Sequence, residues 1–431
     1  MTSGATSWGR YPPHRAAREW ALSDRHAALP IPASGTPGLL PHGMGRSYGD
    51  VALNDGGDLL RTRGLDRFIA FDPATGVLRA EAGVTLDEIL TLVMPQGWFL
   101  PVTPGTRFVT LGGAVANDVH GKNHHGAGTL GCHVRAFELL RSDGSRRTCT
   151  PADHADWFGA TIGGLGLTGL ITWVEIGLER ISQPVLRVVN RRFSGLEGYW
   201  ALDAELGPHH AHAVAWVDCL RGGRGIFSAA DFVGTGGAPV AAPTGARQLP
   251  LDPPFSLVNG LSLRAFNTLY YHRPVPREGL SHCLPFFYPL DGVAHWNRLY
   301  GRAGFFQYQC VLPPAAMREA ARDLFSVIGQ RGQGSFLAVF KTFGTRRSPG
   351  WLSFPREGAT LALDFPNRGA TTLALLRELD AVVAAAGGAL YPAKDARMPR
   401  ALFLSGYPAL DRFSAYVDPA FSSSFWRRLA A

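Results

Sequence analysis

Cysteines, long apolar runs and charged residues are all scarce in this chain of 431 residues. The five cysteines are odd in number, widely scattered and without a CxxC pair, which excludes a zinc–thiolate knuckle and argues against a disulfide framework. The N-terminal residues lack the apolar core of a secretory signal, and no run of about 18 apolar residues, the length of a spanning helix, occurs. We therefore expect a cytoplasmic protein that is not secreted and that contacts a membrane, if at all, peripherally at its inner face.

The overall composition is that of an ordered globular protein of two or three domains. Hydrophobic residues make up 46% of the chain and charged residues 18%, and no low-complexity tract interrupts it. The net charge of +8 comes from many arginines. These form either a solvated basic face or a surface for an anionic partner, namely a phosphate-bearing substrate, an anionic membrane or nucleic acid. We expect no nucleic acid, because no recognised binding motif accompanies the charge.

Glycine is concentrated in three segments of the first 170 residues. They read HGMGRSYGD at 42–50, TPGTRFVTLGGAVANDVHGKNHHGAGTLGCH at 103–133 and TIGGLGLTG at 161–169. Glycine lets backbone N–H groups approach a ligand closely and adopt positive φ. Three such loops predict one large, extended, phosphate-bearing cofactor.

The third loop contains the spacing G-x-G-x-x-G, which also marks dinucleotide-binding Rossmann folds. That interpretation requires a helix after the loop, whereas residues 171–178 alternate as a β-strand does. Upstream, residues 77–82 alternate in the same way, and Thr85 and Glu88 form the capping-box pattern of a helix that ends before Gly97. These patterns favour an α+β fold other than the Rossmann fold.

A second α+β unit is predicted beyond residue 182, where the glycine loops stop. Strands are expected at 305–312 and 359–365, with amphipathic helices at 314–330 and 370–386 packed on them. The stretch 222–254, which is rich in Gly, Ala and Pro, is expected to contain a long surface loop.

Six segments together carry a family resemblance. Besides the three glycine loops, the chain contains FFQYQ at 305–309, VFKTFG at 339–344 and YPAKDAR at 391–397. In this order they resemble the flavin oxidoreductases of the vanillyl-alcohol-oxidase superfamily, which have a PCMH-type FAD-binding domain, and within it the decaprenylphosphoryl-β-D-ribose 2′-oxidase-like family. The resemblance implies an α+β fold of two domains. A bipartite FAD-binding domain would comprise residues 1–182 and 387–431, and an inserted α+β substrate domain, 183–386, would be built on an antiparallel sheet.

The resemblance implies FAD as the cofactor, bound non-covalently. In many relatives a histidine of the first loop is joined to the flavin, whereas this chain has Arg46 there, and arginine cannot form that bond. The first two loops would supply backbone N–H groups to the pyrophosphate, and the third would line the adenine and isoalloxazine. The residues implied in binding FAD are Gly43, Gly45, Arg46, Ser47, Tyr48, Gly49, Pro104, Gly105, Thr106, Gly112, Gly113, Asn117, His120, Gly121, Asn123, Gly164, Gly169, Ile171 and Lys394.

Oxidation of a secondary alcohol requires hydride loss to flavin N5 and proton loss from the hydroxyl. The resemblance implies that the catalytic residues Lys394, His120 and Tyr48 lie at the flavin edge, where Lys394 positions or deprotonates the substrate hydroxyl. A buried lysine among other cations can have the lowered pKa that a base needs. The residues implied in contacting the substrate are Gln307, Gln309, Lys341, Trp216, Phe287, Tyr288, Thr360 and Ala362.

The implied reaction oxidises the 2′-hydroxyl of a polyprenylphosphoryl pentose to a 2-keto intermediate, and a partner reductase would complete an epimerisation. Two departures fall in the substrate pocket. The family's Asn-x-Cys corresponds to Thr360-Leu361-Ala362, and its tyrosine before the PLD turn corresponds to Phe287 or Tyr288. The alternative is an oxidase or dehydrogenase of a soluble polyol or aldonolactone. A third hypothesis is a flavin- or metal-binding partner protein without catalysis.

Several of these residues could instead have purely structural roles. The four histidines of the second loop contain an i, i+4 pair that could hold zinc, but metal histidines usually come with a third ligand in a rigid context. We expect no metal, and we expect His124 and His125 to hydrogen-bond loop carbonyls. Lys341 could be a surface lysine, Tyr48 a turn residue and the aromatic segment 284–289 part of the core.

One stretch has the composition of a membrane-facing surface. Apolar residues between 255 and 271 lie near Arg264, Arg273 and Arg277 in the sequence, a composition that suits a lipid phosphate at a membrane face.

Overall fold

Two antiparallel sheets form the framework of the structure. The structure is a computed structural model that describes residues 4–235, 240–243, 245–249 and 251–430. The strands of the first part are β1 Arg18–Ala21, β2 Leu39–His42, β3 Asp58–Arg61, β4 Phe68–Asp72, β5 Val77–Glu81, β6 Trp98–Phe99, β7 Val134–Leu140, β8 Arg146–Cys149, β9 Leu170–Gly177 and β10 Glu179–Arg180. Its helices are α1 Leu86–Val93, α2 Leu111–Ala116, α3 His124–Ala127 and α4 Ala155–Thr161.

The second part of the chain contains the longer helices. Its strands are β11 Val185–Phe193, β12 His212–Asp218, β13 Arg224–Phe232, β14 Arg247–Gln248, β15 Glu278–His282, β16 Val293–Ala294, β17 Phe305–Leu312, β18 Val339–Phe343, β19 Gly358–Pro366 and β20 Ala389–Leu390. Its helices are α5 Leu196–Leu206, α6 Gly260–His272, α7 Cys283–Phe287, α8 Met317–Arg331, α9 Ala370–Ala385, α10 Arg400–Gly406, α11 Leu410–Ser414 and α12 Ser424–Leu429.

The five-stranded sheet has the order β4-β5-β9-β7-β8, and every neighbouring pair is antiparallel. Strand β9 begins directly after the third glycine loop, so the absence of a Rossmann helix there is confirmed. The loop needs glycine at its end, because Gly169 has a φ of 138° and an added Cβ would lie 2.7 Å from the Leu140 carbonyl oxygen.

Helix α1 begins as its sequence predicts. The Glu88 N–H donates to Thr85 Oγ1 at 3.2 Å and the Thr85 N–H donates to Glu88 Oε2 at 2.7 Å, which confirms the capping box. The buried face of the helix includes Leu86, Ile89 and Leu90, and Gly97 follows in the left-handed conformation.

The eight-stranded sheet has the order β15-β11-β13-β12-β18-β19-β17-β20 and is antiparallel throughout. Helix α5 packs on β11, β12 and β13, and helices α8 and α9 pack on β17. Side chains alternate across a strand, so one face of the sheet forms the apolar core with these helices and the other face is left for the candidate site.

The stretch 222–254, which is expected to contain a long surface loop, begins with a strand instead. Residues 224–232 form β13, which pairs with β11 on one side and β12 on the other. Ile226, Phe227 and Ala229 are buried there, because a central strand is covered on both edges by its neighbours. Residues 236–239, 244 and 250 of the predicted loop lie outside the described residues.

The C-terminal segment joins the eight-stranded sheet to the first glycine loop. Strand β20 pairs with β17, and the Arg428 guanidinium bonds both Asp50 at 2.9 Å and Asp395 at 3.0 Å. The α+β class is confirmed, whereas the division at residues 182 and 386 stays a prediction. Within the described part of the chain, no helix combines the length and the apolar character needed to cross a bilayer.

Candidate active site

A cavity of about 770 Å³ lies between the free face of the eight-stranded sheet and the glycine loops. Ligand pockets of proteins usually have volumes of roughly 300 to 1,000 Å³. The cavity is therefore large enough for an extended ligand. Its lining comes from segments that are distant in sequence, including the first two loops, β11, β17, β18, β19 and the residues that follow β20.

The sheet contributes a row of side chains fixed by strand register. Gln307 pairs with Asp364, Gln309 with Ala362, and Lys341 with Thr360. Because side chains alternate along a strand, residues two apart point to the same side, and these six residues line the cavity together. Trp216, on β12, lines the cavity beyond β18 and donates from Nε1 to the Phe336 carbonyl at 2.9 Å.

The first loop presents its backbone to the cavity. Among the described residues, the N–H groups of residues 43–47 have no hydrogen-bond acceptor in the protein, and all five residues line the cavity. Gly45 has a φ of 61°, which an L side chain rarely adopts. In the second loop, an added Cβ at Gly105 would have no neighbour within 4 Å. A row of free amides beside open space fits the pyrophosphate of a dinucleotide cofactor, since consecutive N–H groups bind anions.

Arg46 is held at the edge of this loop. Its guanidinium carbon lies 4.1 Å from the centre of the Trp8 ring, and its Nε donates to the Phe108 carbonyl at 3.3 Å. The contacts leave the rest of the guanidinium as a cation beside the free amides, which strengthens the preference for an anionic ligand.

Lysine is rare in this chain, and its distribution marks the cavity. Of the 42 lysine and arginine residues, only three are lysines, namely Lys122, Lys341 and Lys394. All three line the cavity. Burial lowers the pKa of Lys122 to about 7. Burial, together with the charges of the other two lysines, lowers the pKa of Lys341 to about 7. Lys341 is therefore not the surface lysine that its strand pattern allowed.

His120 is bonded on both sides of its ring. Its Nδ1 lies 3.0 Å from Lys341 Nζ, its Nε2 lies 2.9 Å from Gln309 Nε2, and Lys341 also donates to the Gly121 carbonyl. Burial and then the charge of Lys341 hold the pKa of His120 well below its usual range, so the ring is neutral and carries one N–H. Its tautomer thus depends on Lys341. A charged lysine donates to Nδ1, which puts the ring proton on Nε2 and requires the Gln309 amide to turn its oxygen toward the ring. A neutral lysine can accept from Nδ1–H, and Nε2 then accepts from the Gln309 amide as in this structure.

Lys394 and Tyr48 form the other end of the polar lining. Lys394 Nζ lies 3.9 Å from the centre of the Tyr48 ring, a cation–π contact that favours the ammonium form. Tyr48 is buried, which raises the pKa of its phenol well above the usual value. It lines the cavity and is therefore more than a turn residue.

Asp364 is the buried counter-charge at this end. Gln307 Nε2 donates to its Oδ1 at 2.6 Å, while its Oδ2 has no partner among the described residues. Burial raises the pKa of Asp364 and lowers that of Lys394, and the attraction between the two charges opposes both shifts.

Most of the implied cofactor and substrate residues line the cavity. Those that do are Gly43, Gly45, Arg46, Ser47, Tyr48, Pro104, Gly105, Thr106, Gly112, Gly113, Asn117, His120, Gly121, Gly169, Ile171, Lys394, Gln307, Gln309, Lys341, Trp216, Phe287, Thr360 and Ala362. The roles given to them remain proposals.

Four implied residues lie outside the lining and have supporting positions. Asn123 Nδ2 donates to the Pro101 carbonyl at 2.8 Å, and Tyr288 OH is 2.6 Å from Thr103 Oγ1, so both brace the second loop. An added Cβ at Gly164 would lie 2.2 Å from the Ala160 carbonyl oxygen. At Gly49 it would lie 1.8 Å from the Asp395 carbonyl oxygen, so this glycine lets the Lys394 segment approach the first loop.

The other three histidines of the second loop differ in their hydrogen bonding. His125 Nε2 bonds the His210 carbonyl at 2.8 Å, as expected, and His133 Nε2 bonds the Ala127 carbonyl at 2.9 Å. The expectation for His124 is wrong, because neither ring nitrogen has a partner among the described residues and the ring centre lies 4.3 Å from that of Phe343. Across the described ranges, no group of three or more His, Cys, Asp or Glu residues is arranged to hold a metal ion.

Sequence reasoning missed several lining residues, among them three with ionisable side chains that bear on the chemistry. Asp364 continues the alternation of Thr360 and Ala362 and was predictable from it. Lys122 lies in the second loop, and the scarcity of lysine was its signal. Asp291 accepts from the Arg107 N–H at 3.0 Å, and no sequence pattern marks it.

Comparison with known proteins agrees with this geometry. Residues 33–150 match the family model of an FAD binding domain. Decaprenylphosphoryl-β-D-ribose oxidase of Mycolicibacterium smegmatis is 35% identical over 459 residues, covering 99% of this chain and 97% of that protein. An uncharacterised protein of Streptomyces coelicolor is 38% identical over 80% of this chain and 100% of its own length. Human delta(24)-sterol reductase is 30% identical over 31% of this chain and 25% of that protein.

Fold, cavity and matched domain together define an FAD-dependent oxidoreductase, a flavoprotein with a PCMH-type FAD-binding domain. The chain belongs to the decaprenylphosphoryl-β-D-ribose oxidase family.

Proposed function

We propose that the protein oxidises the 2′-hydroxyl of a polyprenylphosphoryl pentose to the 2-keto product. The observation that carries the proposal is the convergence of all three lysines on one cavity that is also lined by a row of free backbone amides. Such a cavity suits two anionic groups, the cofactor pyrophosphate and a sugar phosphate. The name of the mycolicibacterial relative supports this substrate class.

FAD supplies the hydride acceptor when it is bound. The amides of residues 43–47 hold its pyrophosphate, and Lys394 holds the substrate hydroxyl through a charged hydrogen bond. Gln309 and Lys341, joined through His120, fix the sugar or its phosphate at the other end of the polar lining. Holding the reacting atoms in this way reduces the entropic part of the barrier.

The flavin is proposed to be non-covalent, because Arg46 has no nucleophilic atom for a flavin bond. The visible absorbance of the purified protein, recorded before and after acid precipitation, tests this. Flavin released into the supernatant supports the proposal, and flavin retained in the pellet contradicts it.

Anaerobic bleaching of the flavin tests the reaction. A polyprenylphosphoryl ribose is expected to reduce the flavin, whereas free ribose, polyols and aldonolactones are not. The Lys394→Ala variant is expected to retain FAD and to lose reduction by about 100-fold or more. Near-normal reduction of that variant would remove the role given to Lys394.

A soluble polyol or aldonolactone is the second candidate substrate. One observation favours it. Thr360 and Ala362 line the cavity at the positions that correspond to the asparagine and the cysteine of the family's Asn-x-Cys. This candidate would be supported if a free polyol bleached the flavin and the lipid-linked pentose did not.

A reductase partner is a further part of the proposal. The 2-keto product keeps its carbonyl until a hydride returns to the opposite face, which an oxidase alone does not achieve. Formation of the epimer only after a reductase is added would support such a partner.

A further inference from the structure

Helix α6 presents three different faces. Leu263 and Asn267, four residues apart, are buried against the body of the protein, where Asn267 Nδ2 donates to Asp218 Oδ1 at 2.9 Å. Phe266 and Tyr270, also four apart, line the cavity. Residues at this spacing share one side of a helix, so a third side remains.

The third side is apolar and exposed. Leu261 and Leu269, eight residues apart on the same side, are 81% and 73% exposed. Leu251 and Phe255, in the segment before the helix, are 76% and 67% exposed. These four exposed residues come from one stretch of the chain, and we call them the apolar ridge. Single exposed leucines are ordinary on protein surfaces, but a group of large apolar side chains beside a ligand cavity indicates an interaction site.

The charge around the ridge is positive. The acidic residues Asp252 and Glu278 are paired with arginines from elsewhere, Arg10 at 2.7 Å and Arg191 at 3.7 Å. The exposed arginines Arg264, Arg273 and Arg277 therefore keep an uncompensated charge. Apolar side chains that insert and arginines that stay at the surface are the two components by which a protein binds an anionic bilayer.

We propose that the apolar ridge and these arginines dock the protein on the surface of an anionic phospholipid bilayer, with α6 lying in the plane of the interface. A basic surface selects this occupant over a second copy of the chain, which would bring like charges together. Because α6 also lines the cavity, docking places the cavity wall at the bilayer. That docking would deliver a lipid-linked sugar to the cavity rests on the proposed function. The docking itself does not depend on it.

Co-sedimentation of the FAD-loaded protein with vesicles tests the proposal. Vesicles of equal parts phosphatidylglycerol and phosphatidylcholine are expected to bind it, and pure phosphatidylcholine vesicles are expected to bind it about tenfold more weakly. The double variant Leu261→Ser/Leu269→Ser is expected to lower binding to anionic vesicles by about tenfold. Its FAD absorbance and melting temperature should match those of the wild type, since both side chains are exposed.

Ile31→Ser is the matched control, because Ile31 is 86% exposed but lies outside this segment. Equal loss of binding in this control, or no binding of the wild type to anionic vesicles, would overturn the proposal. So would a concentration-dependent dimer that the double variant abolishes, since the ridge would then belong to a second copy.

Flavin reduction in detergent separates this proposal from the proposed function. If the protein binds vesicles but no sugar reduces its flavin, the docking surface is supported and the proposed substrate is contradicted. If the lipid-linked pentose reduces the flavin but the protein does not bind vesicles, the docking surface is contradicted.

Discussion

Gln307 donates from Nε2 to Oδ1 of Asp364 at 2.6 Å, and the two residues face each other across the β17–β19 pair. An ionised carboxylate accepts hydrogen bonds only, so this contact fixes the orientation of the amide. The carbonyl oxygen of Gln307, buried and without a partner among the described residues, is left as an acceptor. The polar end of the cavity therefore combines an acceptor at Gln307 with a donor at Lys394.

Replacing Asp364 by asparagine should shift the pH profile of flavin reduction. The negative charge of Asp364 raises the pKa of Lys394, so its removal lets Lys394 lose its proton at a lower pH. If Lys394 must be charged to hold the hydroxyl, the alkaline limb of the reduction rate moves to lower pH, by about one unit. Anaerobic stopped-flow measurement across pH checks this.

Asp291→Asn is the comparison for that experiment, because Asp291 is a second carboxylate of the lining. It should leave the position of the alkaline limb unchanged. A shift of the acid limb in Asp364→Asn, with faster reduction at low pH, would instead make neutral Lys394 the base.

Amine-directed reagents should label the cavity and little else. All three lysines line the cavity, and a lysine with a pKa lowered to about 7, as at Lys122 and Lys341, is largely an unprotonated nucleophile at pH 8. Acylation of the FAD-free protein, read by peptide mass spectrometry, should modify these lysines and the N-terminal amine. Added FAD should protect the lysines and leave the N-terminal amine reactive. Equal lysine labelling with and without FAD would contradict the placement of the cofactor.

The tautomer of His120 should change near pH 7. Lys341, with a pKa lowered to about 7, is charged below that pH and donates to Nδ1. Above it the neutral lysine accepts, so that the proton of the ring moves from Nε2 to Nδ1. Nitrogen NMR of ¹⁵N-histidine-labelled protein checks the change, and Lys341→Met should abolish it. A single tautomer from pH 6 to pH 9 would contradict the link.

Gly49→Ala should destabilise the protein by about 1 to 3 kcal/mol. An added Cβ would lie 1.8 Å from the Asp395 carbonyl oxygen, so the segment that carries Lys394 must move away from the first loop. Gly126→Ala is the matched control, because an added Cβ there has no neighbour within 4 Å. Urea unfolding of both variants checks the difference, and equal stability of the two would contradict the close approach.

The sequence by itself determined the local elements and the class of cofactor. Periodicity and capping identified α1, β9, α8 and α9, because a single segment contains all the information about which of its faces is buried. The three glycine loops predicted a phosphate-bearing cofactor, because the chemistry of a glycine-rich backbone is also local.

Only the tertiary structure decided which distant residues meet. Asp364 and Lys394 are brought to one end of the cavity by β19 and by the segment after β20, and neither residue carries a local signal of the other. The same holds for β13, whose small residues resemble a loop until two neighbouring strands cover both of its edges. Charge coupling and strand burial depend on which segments become neighbours in space, and sequence periodicity describes each segment alone.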